Sequence, residues 1–451
     1  MQQTALSPPA DTAFFGHPRG LSTLFFTEMW ERFSYYGMRA FLILYMVAPV
    51  SAGGLGFSDA DAASIYGTYT ASAWGLAILG GIVADRFLGQ YRSVLVGGII
   101  ITLGHISLAF PPVPFFYAGL ALVAAGTGLL KPNVSTLVGS LYDQEDARRD
   151  AGFSLFYMGI NIGAIAGPLI AGYFAQRVDW HVGFGCAAVG MFLGLVQYVL
   201  GKKHLQRGLD RLAAQPKPHS PAHSTSTPAA GGFLGFSAAE WKGIGAIVIF
   251  FLAATLFWGA YEQQGSTLNL FADRYTRLEI LGFSFPSSWF QSVPPIFVVI
   301  FAPTFAWLWV RLGAREPSVP AKIALGLLFI GLSFLILIPA GAMAQAEGGT
   351  RVSPWWLIAV YLGATFGEVC LYPVGLSAVT KVSPARIVGL MMGVWFLSNA
   401  FGSKLAGWSA GFFSSMPLET LFTIVATLLL ITAGVMFALV KPLHRLMGDV
   451  R

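Results

Sequence analysis

The chain has 451 residues, 55% of them hydrophobic and only 11% charged, with a mean hydropathy of +0.66. That balance excludes a soluble globule and fits a polytopic membrane protein. The net charge of +6 does not signal nucleic-acid binding, because the bases fall in short connections between apolar runs.

Residues 1–20 hold Pro8, Pro9, Asp11 and Arg19 and no apolar core, so no cleaved signal peptide is expected. Apolar runs then predict an all-α integral membrane fold of twelve spans, at about 21–50, 61–84, 91–110, 115–140, 151–176, 182–200, 241–268, 286–311, 319–344, 354–380, 386–413 and 418–440. Between the sixth and seventh spans the composition changes. Lys202-Lys203-His204, then Pro216-Lys217-Pro218-His219-Ser220-Pro221, then a Ser/Thr/Ala/Gly run to Gly232 form a polar stretch that cannot span. It is expected to link the halves flexibly. The domains read as an N-terminal six-helix bundle (1–200), a cytoplasmic linker (201–240) and a C-terminal six-helix bundle (241–451). Nineteen lysines and arginines fall in one set of loops and four in the other, which places both termini in the cytoplasm. Cys186 and Cys370 each lie inside an apolar segment and imply neither a disulfide framework nor a metal site.

The first span is the unusual one. Thr27-Glu28-Met29-Trp30-Glu31-Arg32-Phe33-Ser34-Tyr35-Tyr36-Gly37-Met38-Arg39 places four charges in a stretch long enough to cross a bilayer, which is costly and points to function. At about 100° per residue, Glu28, Glu31, Arg32, Tyr35 and Arg39 share one arc roughly 100° wide. Phe26, Met29, Phe33 and Leu44 occupy the opposite side, suited to lipid or neighbouring helices.

Elsewhere in the spans the acids are Glu262 and Glu368 and the bases Lys131 and Lys404. The intramembrane charges sum to zero, as a low-dielectric interior demands. A rise of about 1.5 Å per residue puts Lys131 and Glu368 near mid-membrane and Arg39 and Glu262 toward one side, so an Arg39–Glu262 pair is expected there as an outer gate. Tyr157 and Asn161 are four apart, as are Glu368 and Tyr372; Trp258, Tyr261 and Glu262 follow a 0, 3, 4 spacing, and so do Trp395, Ser398 and Asn399. Such a lining suits a small zwitterion: an ammonium at Glu368 and Asn161, a carboxylate at Arg39 and Lys131, and tolerant aromatic faces around them.

The halves echo each other. The fifth span runs from Ala147-Arg148-Arg149 to Asn161-Ile162-Gly163, and the eleventh from Ala385-Arg386 to Asn399-Ala400-Phe401-Gly402. Such repeats suggest a transporter. Gly80-Gly81-Ile82-Val83-Ala84-Asp85-Arg86-Phe87-Leu88-Gly89-Gln90-Tyr91-Arg92 resembles the cytoplasmic signature of the major facilitator superfamily, and the resemblance implies that Asp85 and Arg86 help latch the cytoplasmic side. More specifically, Glu28-x-x-Glu31-Arg32-Phe33-Ser34-Tyr35-Tyr36-Gly37 resembles the ExxER motif of the proton-coupled oligopeptide transporter (POT/PTR) family. Phe153 to Gly163 resembles that family's fifth-helix signature, and Tyr261-Glu262-Gln263-Gln264-Gly265-Ser266 and Gly367-Glu368 resemble its seventh- and tenth-helix motifs.

The resemblance implies proton-coupled import of di- and tripeptides by alternating access, in the bacterial inner membrane, by a monomer that needs no cofactor beyond protons. It implies proton coupling by Glu28, Glu31, Arg32 and Glu262, and gating by Arg39 with Glu262. Substrate contacts are expected from Arg39, Tyr35, Lys131, Tyr157, Asn161, Trp258, Glu368, Trp395, Ser398 and Asn399. Two departures stand out: residues 201–240 are too polar for the two extra helices of many bacterial members, and Trp74 stands where a peptide-contacting tyrosine is expected.

Nitrate or another small substrate is the alternative on the same scaffold, but a nitrate carrier has no use for an ammonium-binding acid at Glu368. A drug exporter fits the charged first span poorly. No HExxH, GxSxG or paired-cysteine motif supports an enzyme, and Asp59 and Asp85 stand without catalytic partners in sequence.

Overall fold

The computed structural model describes residues 11–143, 146–214, 236–384 and 387–447. Its helices are α1 (Arg19–Val47), α2 (Asp59–Val83), α3 (Gln90–Leu108), α4 (Val113–Ser140), α5 (Arg149–Arg177), α6 (Trp180–Leu200), α7 (Lys202–Ala214), α8 (Ala238–Tyr261), α9 (Thr267–Tyr275), α10 (Val293–Leu312), α11 (Val319–Gln345), α12 (Trp355–Val382), α13 (Val388–Ala410), α14 (Leu418–Ala438) and α15 (Val440–Met447). A single π-helical turn, Ala84–Leu88, extends α2. The only named strands among the described residues, β1 (Glu279–Ile280) and β2 (Phe283–Ser284), pair antiparallel with Glu279 opposite Ser284.

Among the described residues, ten helical segments are long and apolar enough to cross a membrane: α2 to α6, α8 with α9, α10, α11, α12 and α14. The protein is therefore a multi-pass membrane protein. α1 has the length, 29 residues, but carries charge in its interior. It tolerates that charge because it is enclosed by protein. Phe33 and Leu44, on the side opposite the charges, are 6% and 3% exposed, and only Phe26, at 39%, keeps an open face. α1 packs on α5 and α6, α2 on α4 and α13, α3 on α4, and α11 on α12 and α14.

Successive helices alternate in direction, so the molecule has two ends. One carries the β-hairpin and is called the hairpin end; the other carries α7. Two expectations on boundaries change. The expected span 241–268 is broken: α8 stops at Tyr261, Glu262–Gly265 form a 3-10 turn, and α9 resumes at Thr267. The break occurs where backbone approaches the α1–α2 face. A side chain at Gly265 would start 1.7 Å from the Tyr66 hydroxyl and 2.9 Å from Arg39 Nε, so only glycine fits.

The second change concerns the linker, whose first third is helical. Leu205, Leu209 and Leu212 recur at i, i+4 and i+7 on one face of α7, and Leu205 is 1% exposed. The Pro-rich stretch from Pro216 onward, and Ala385-Arg386, where the eleventh span was expected to enter, lie outside the described residues.

Candidate functional site: a charged seam between helix groups

Three clusters of charge, buried or half-buried, lie along the seam between α1–α5 and α8–α13. The first lies on α1 alone. Glu28, Glu31 and Arg32 are 2%, 0% and 3% exposed. Arg32 Nε contacts Glu31 Oε2 and lies 3.3 Å from Glu28 Oε1. The guanidinium carbon sits 5.1 Å from the centre of the Tyr35 ring. One guanidinium thus holds two carboxylates, and Glu28 Oε2, Glu31 Oε1 and Arg32 Nη2 remain buried without a hydrogen-bond partner. Buried groups left unmet in this way are costly in low dielectric.

The second cluster crosses the seam. Arg39 Nη2 meets Glu262 Oε2 at 2.6 Å, and Arg39 Nε donates to the Tyr66 hydroxyl at 2.5 Å. All three side chains are buried. Tyr66 was missed from sequence; its only signal is that Tyr69 follows at i+3 on the same face of α2.

The third cluster carries the acid of α12, Glu368. Tyr261 Oη donates to Glu368 Oε2 at 2.6 Å. The Trp258 ring sits 5.3 Å from that of Tyr261 and 5.7 Å from that of Tyr372, both edge to face. Across the seam on α4, Lys131 lies over Trp74, Nζ 3.2 Å from the ring centre. Lys131 is within electrostatic range of Glu28, Glu31 and Glu262 but pairs directly with none of them.

The remaining candidates fall in different surroundings. Tyr157 is 38% exposed, and its carbonyl accepts from Asn161 Nδ2 at 2.9 Å. Trp395, Ser398 and Asn399 are all fully buried; Ser398 Oγ donates to the Trp395 carbonyl, while both polar atoms of the Asn399 amide are unpartnered. Asp85 and Arg86 are exposed, and Asp85 accepts from Gln90 Nε2 at 3.0 Å with no ion pair among the described residues. The expected latch is not engaged in this conformation. Lys404 Nζ bonds Thr68 Oγ1 at 2.6 Å, and His105 is fully buried with neither ring nitrogen partnered.

Asp59, which stood alone in sequence, does not stand alone in space. It takes a bidentate pair from Arg274, both contacts 2.6 Å, and a hydrogen bond from Ser414. With Gln176 Nε2 to Ser287 Oγ at 2.8 Å, Ser292 Oγ to the Ile165 carbonyl at 2.8 Å and Asn269 Nδ2 to the Ala40 carbonyl at 2.8 Å, it closes the hairpin end of the seam.

The comparisons bear on the whole chain. The POT family profile (PTR2) matches residues 91–209 and 236–437. An uncharacterized transporter of Bacillus subtilis, YclF, is 41% identical over 97% of this chain and 96% of its own length. A di-/tripeptide transporter of Lactococcus lactis subsp. cremoris is 35% identical over 98% and 99%. Among solved structures, a peptide transporter POT in complex with sulfate superposes with a TM-score of 0.89 at 40% identity, covering 97% of both chains. A charged first helix, a broken seventh segment and an acid on α12 thus occur in a chain that aligns along its whole length with these proteins, and the chain belongs to the POT family.

Proposed function

We propose that the protein is a proton-coupled symporter that imports di- and tripeptides by alternating access. The observation that carries this reading is a pair of intramembrane charges of opposite sign, each without an ion-pair partner among the described residues. Lys131, a cation without a carboxylate partner, faces from α4, and Glu368, a carboxylate held only by Tyr261, faces from α12. A peptide zwitterion complements both. The di-/tripeptide transporter of Lactococcus lactis supports the substrate class. Nitrate would leave Glu368 without a role.

In this reading twelve spans form two six-helix pseudo-symmetric bundles, 1–200 and 241–451, joined by 201–240, in a monomer of the bacterial inner membrane with both termini cytoplasmic. The chain transports and catalyses no chemical conversion. Arg39–Glu262 closes the periplasmic gate, and Asp85 and Arg86 serve the cytoplasmic one. Protonation of Glu28 or Glu31 frees Arg32, and protonation of Glu262 frees Arg39. Freed charges then reorganise around the peptide and bias one bundle against the other. Inward proton movement contributes about 2.3 kcal/mol per 100 mV.

Uptake of labelled dialanine into proteoliposomes, with and without an inward proton gradient, tests this for wild type and Glu31→Gln. Gradient-driven accumulation in wild type and only counterflow in the variant is the expected result. Folded wild type that accumulates no dialanine would sink the peptide reading.

A further inference from the structure

Lys131 is in an unusual position for a cation inside a membrane span. It is half-buried, sits immediately before Pro132 in the middle of α4, and makes no hydrogen bond or ion pair with another described residue. Its nearest partner is the face of the Trp74 indole on α2, 3.2 Å from Nζ to the ring centre. The carboxylates of Glu28 and Glu31 lie within electrostatic range, with one oxygen of each taken by Arg32.

A π face and a carboxylate hold an ammonium in different ways. A carboxylate neutralises the charge and takes up donors. An indole attracts the ammonium through its quadrupole and leaves the charge intact, and an ammonium docked on one face still has N–H groups free to donate on its other side. Tryptophan offers the strongest such face of the aromatic side chains. We propose that Trp74 is a positioning residue that sets substrate specificity, holding the Lys131 ammonium charged and unpaired at the seam so that it receives a substrate carboxylate. The inference rests on the peptide reading above and extends it to a residue that does not itself need to touch the peptide. Without the indole, Lys131 is free to turn toward Glu28 and Glu31 and be neutralised there.

Counterflow of dialanine and of its C-terminal amide through wild type, Trp74→Tyr, Trp74→Phe and Trp74→Leu separates this role from simple packing. For dialanine the apparent KM should rise about tenfold in Trp74→Leu and less in the two aromatic variants, with maximal rate little changed. The amide lacks the carboxylate, and its KM should not move. An equal rise for both substrates, or no rise for dialanine, would overturn the proposal. Wild type that exchanges no dialanine would instead overturn the peptide reading. A second measurement needs no substrate. After reductive [13C]methylation, the Lys131 resonance, assigned by its loss in Lys131→Arg, should be shifted upfield by the indole ring current, should keep part of that shift in Trp74→Phe, and should return toward the other lysines in Trp74→Leu. An unshifted wild-type resonance would overturn the contact on which the proposal stands.

Discussion

The two ends of the seam are built differently. At the hairpin end, α1 and α2 are tied to the 3-10 turn, α9 and α13 by Arg39–Glu262, Asp59–Arg274, Lys404–Thr68 and Asn269 on the Ala40 carbonyl. At the α7 end, no hydrogen bond or ion pair between described residues joins α4 to α12, and Asp85 accepts a hydrogen bond only from Gln90, at the start of α3. The ties at the hairpin end are specific, buried at Arg39–Glu262 and partly or fully exposed at Asp59–Arg274 and Lys404–Thr68, and no comparable tie joins α4 to α12 among the described residues at the other end.

That contrast can be broken most forcefully at Arg39. Arg39→Ala leaves Glu262 as an uncompensated buried carboxylate, a cost of about 3–5 kcal/mol. Dialanine exchange should fall by two orders of magnitude or more, and reversing both charges together should recover part of it. No recovery in the doubly reversed protein would count against the pair as a gate.

Gly67→Val comes next. A side chain there would start 2.8 Å from the Gly407 Cα, forcing α2 from α13 at a cost of about 1–3 kcal/mol. A thiol placed at Ser292 should then react faster with a membrane-impermeant reagent than in the otherwise wild-type background. Asp59→Asn should act in the same direction but more weakly, by about 1 kcal/mol or less, because Arg274 is 34% exposed and solvent screens the pair. Equal labelling in both variants would show that packing and pairing matter alike.

The smallest effect belongs to the α7 end. In the α4–α5 loop, hydrogen bonds from the Arg148 side chain and backbone hold the Asp146 carboxylate down to about 2, below its ordinary 3.8. Its stabilisation is therefore present above the ordinary value and lost as pH falls toward about 2. Asp146→Asn should melt slightly below wild type above about pH 4 and converge with it in stronger acid. A constant gap across that window would show that Asp146 acts by something other than its charge.

Much of this was legible in the chain. Hydropathy located most spans to within a few residues, because a bilayer imposes length and apolarity together. Arg39 and Glu262, anticipated as a pair from helix rise alone, do meet, since depth in a membrane is nearly a linear function of residue number. Sequence spacing failed where it gives a face but not the neighbour facing it. Asp59 and Arg274 are 215 residues apart at helix ends, where no periodicity applies. Tyr66 resembles any aromatic in an apolar helix until Arg39 is placed against it. Helix α7 was hidden by averaging its leucine stripe with the Pro-rich stretch that follows.

Helix α7 also has a mechanical consequence. It lies across the ends of α1 and α4: a side chain at Gly20 of α1 would start 2.7 Å from the His204 carbonyl, and one at Gly208 of α7 would start 2.5 Å from Ser140 Oγ. Arg211 fastens the same junction through Asp143 at 2.8 Å. A beam bolted at two points resists shear between the parts it joins. α7 thereby braces the charged first helix against the lysine-bearing fourth helix at this end, which favours rocking of one helix group against the other over shear between these two helices.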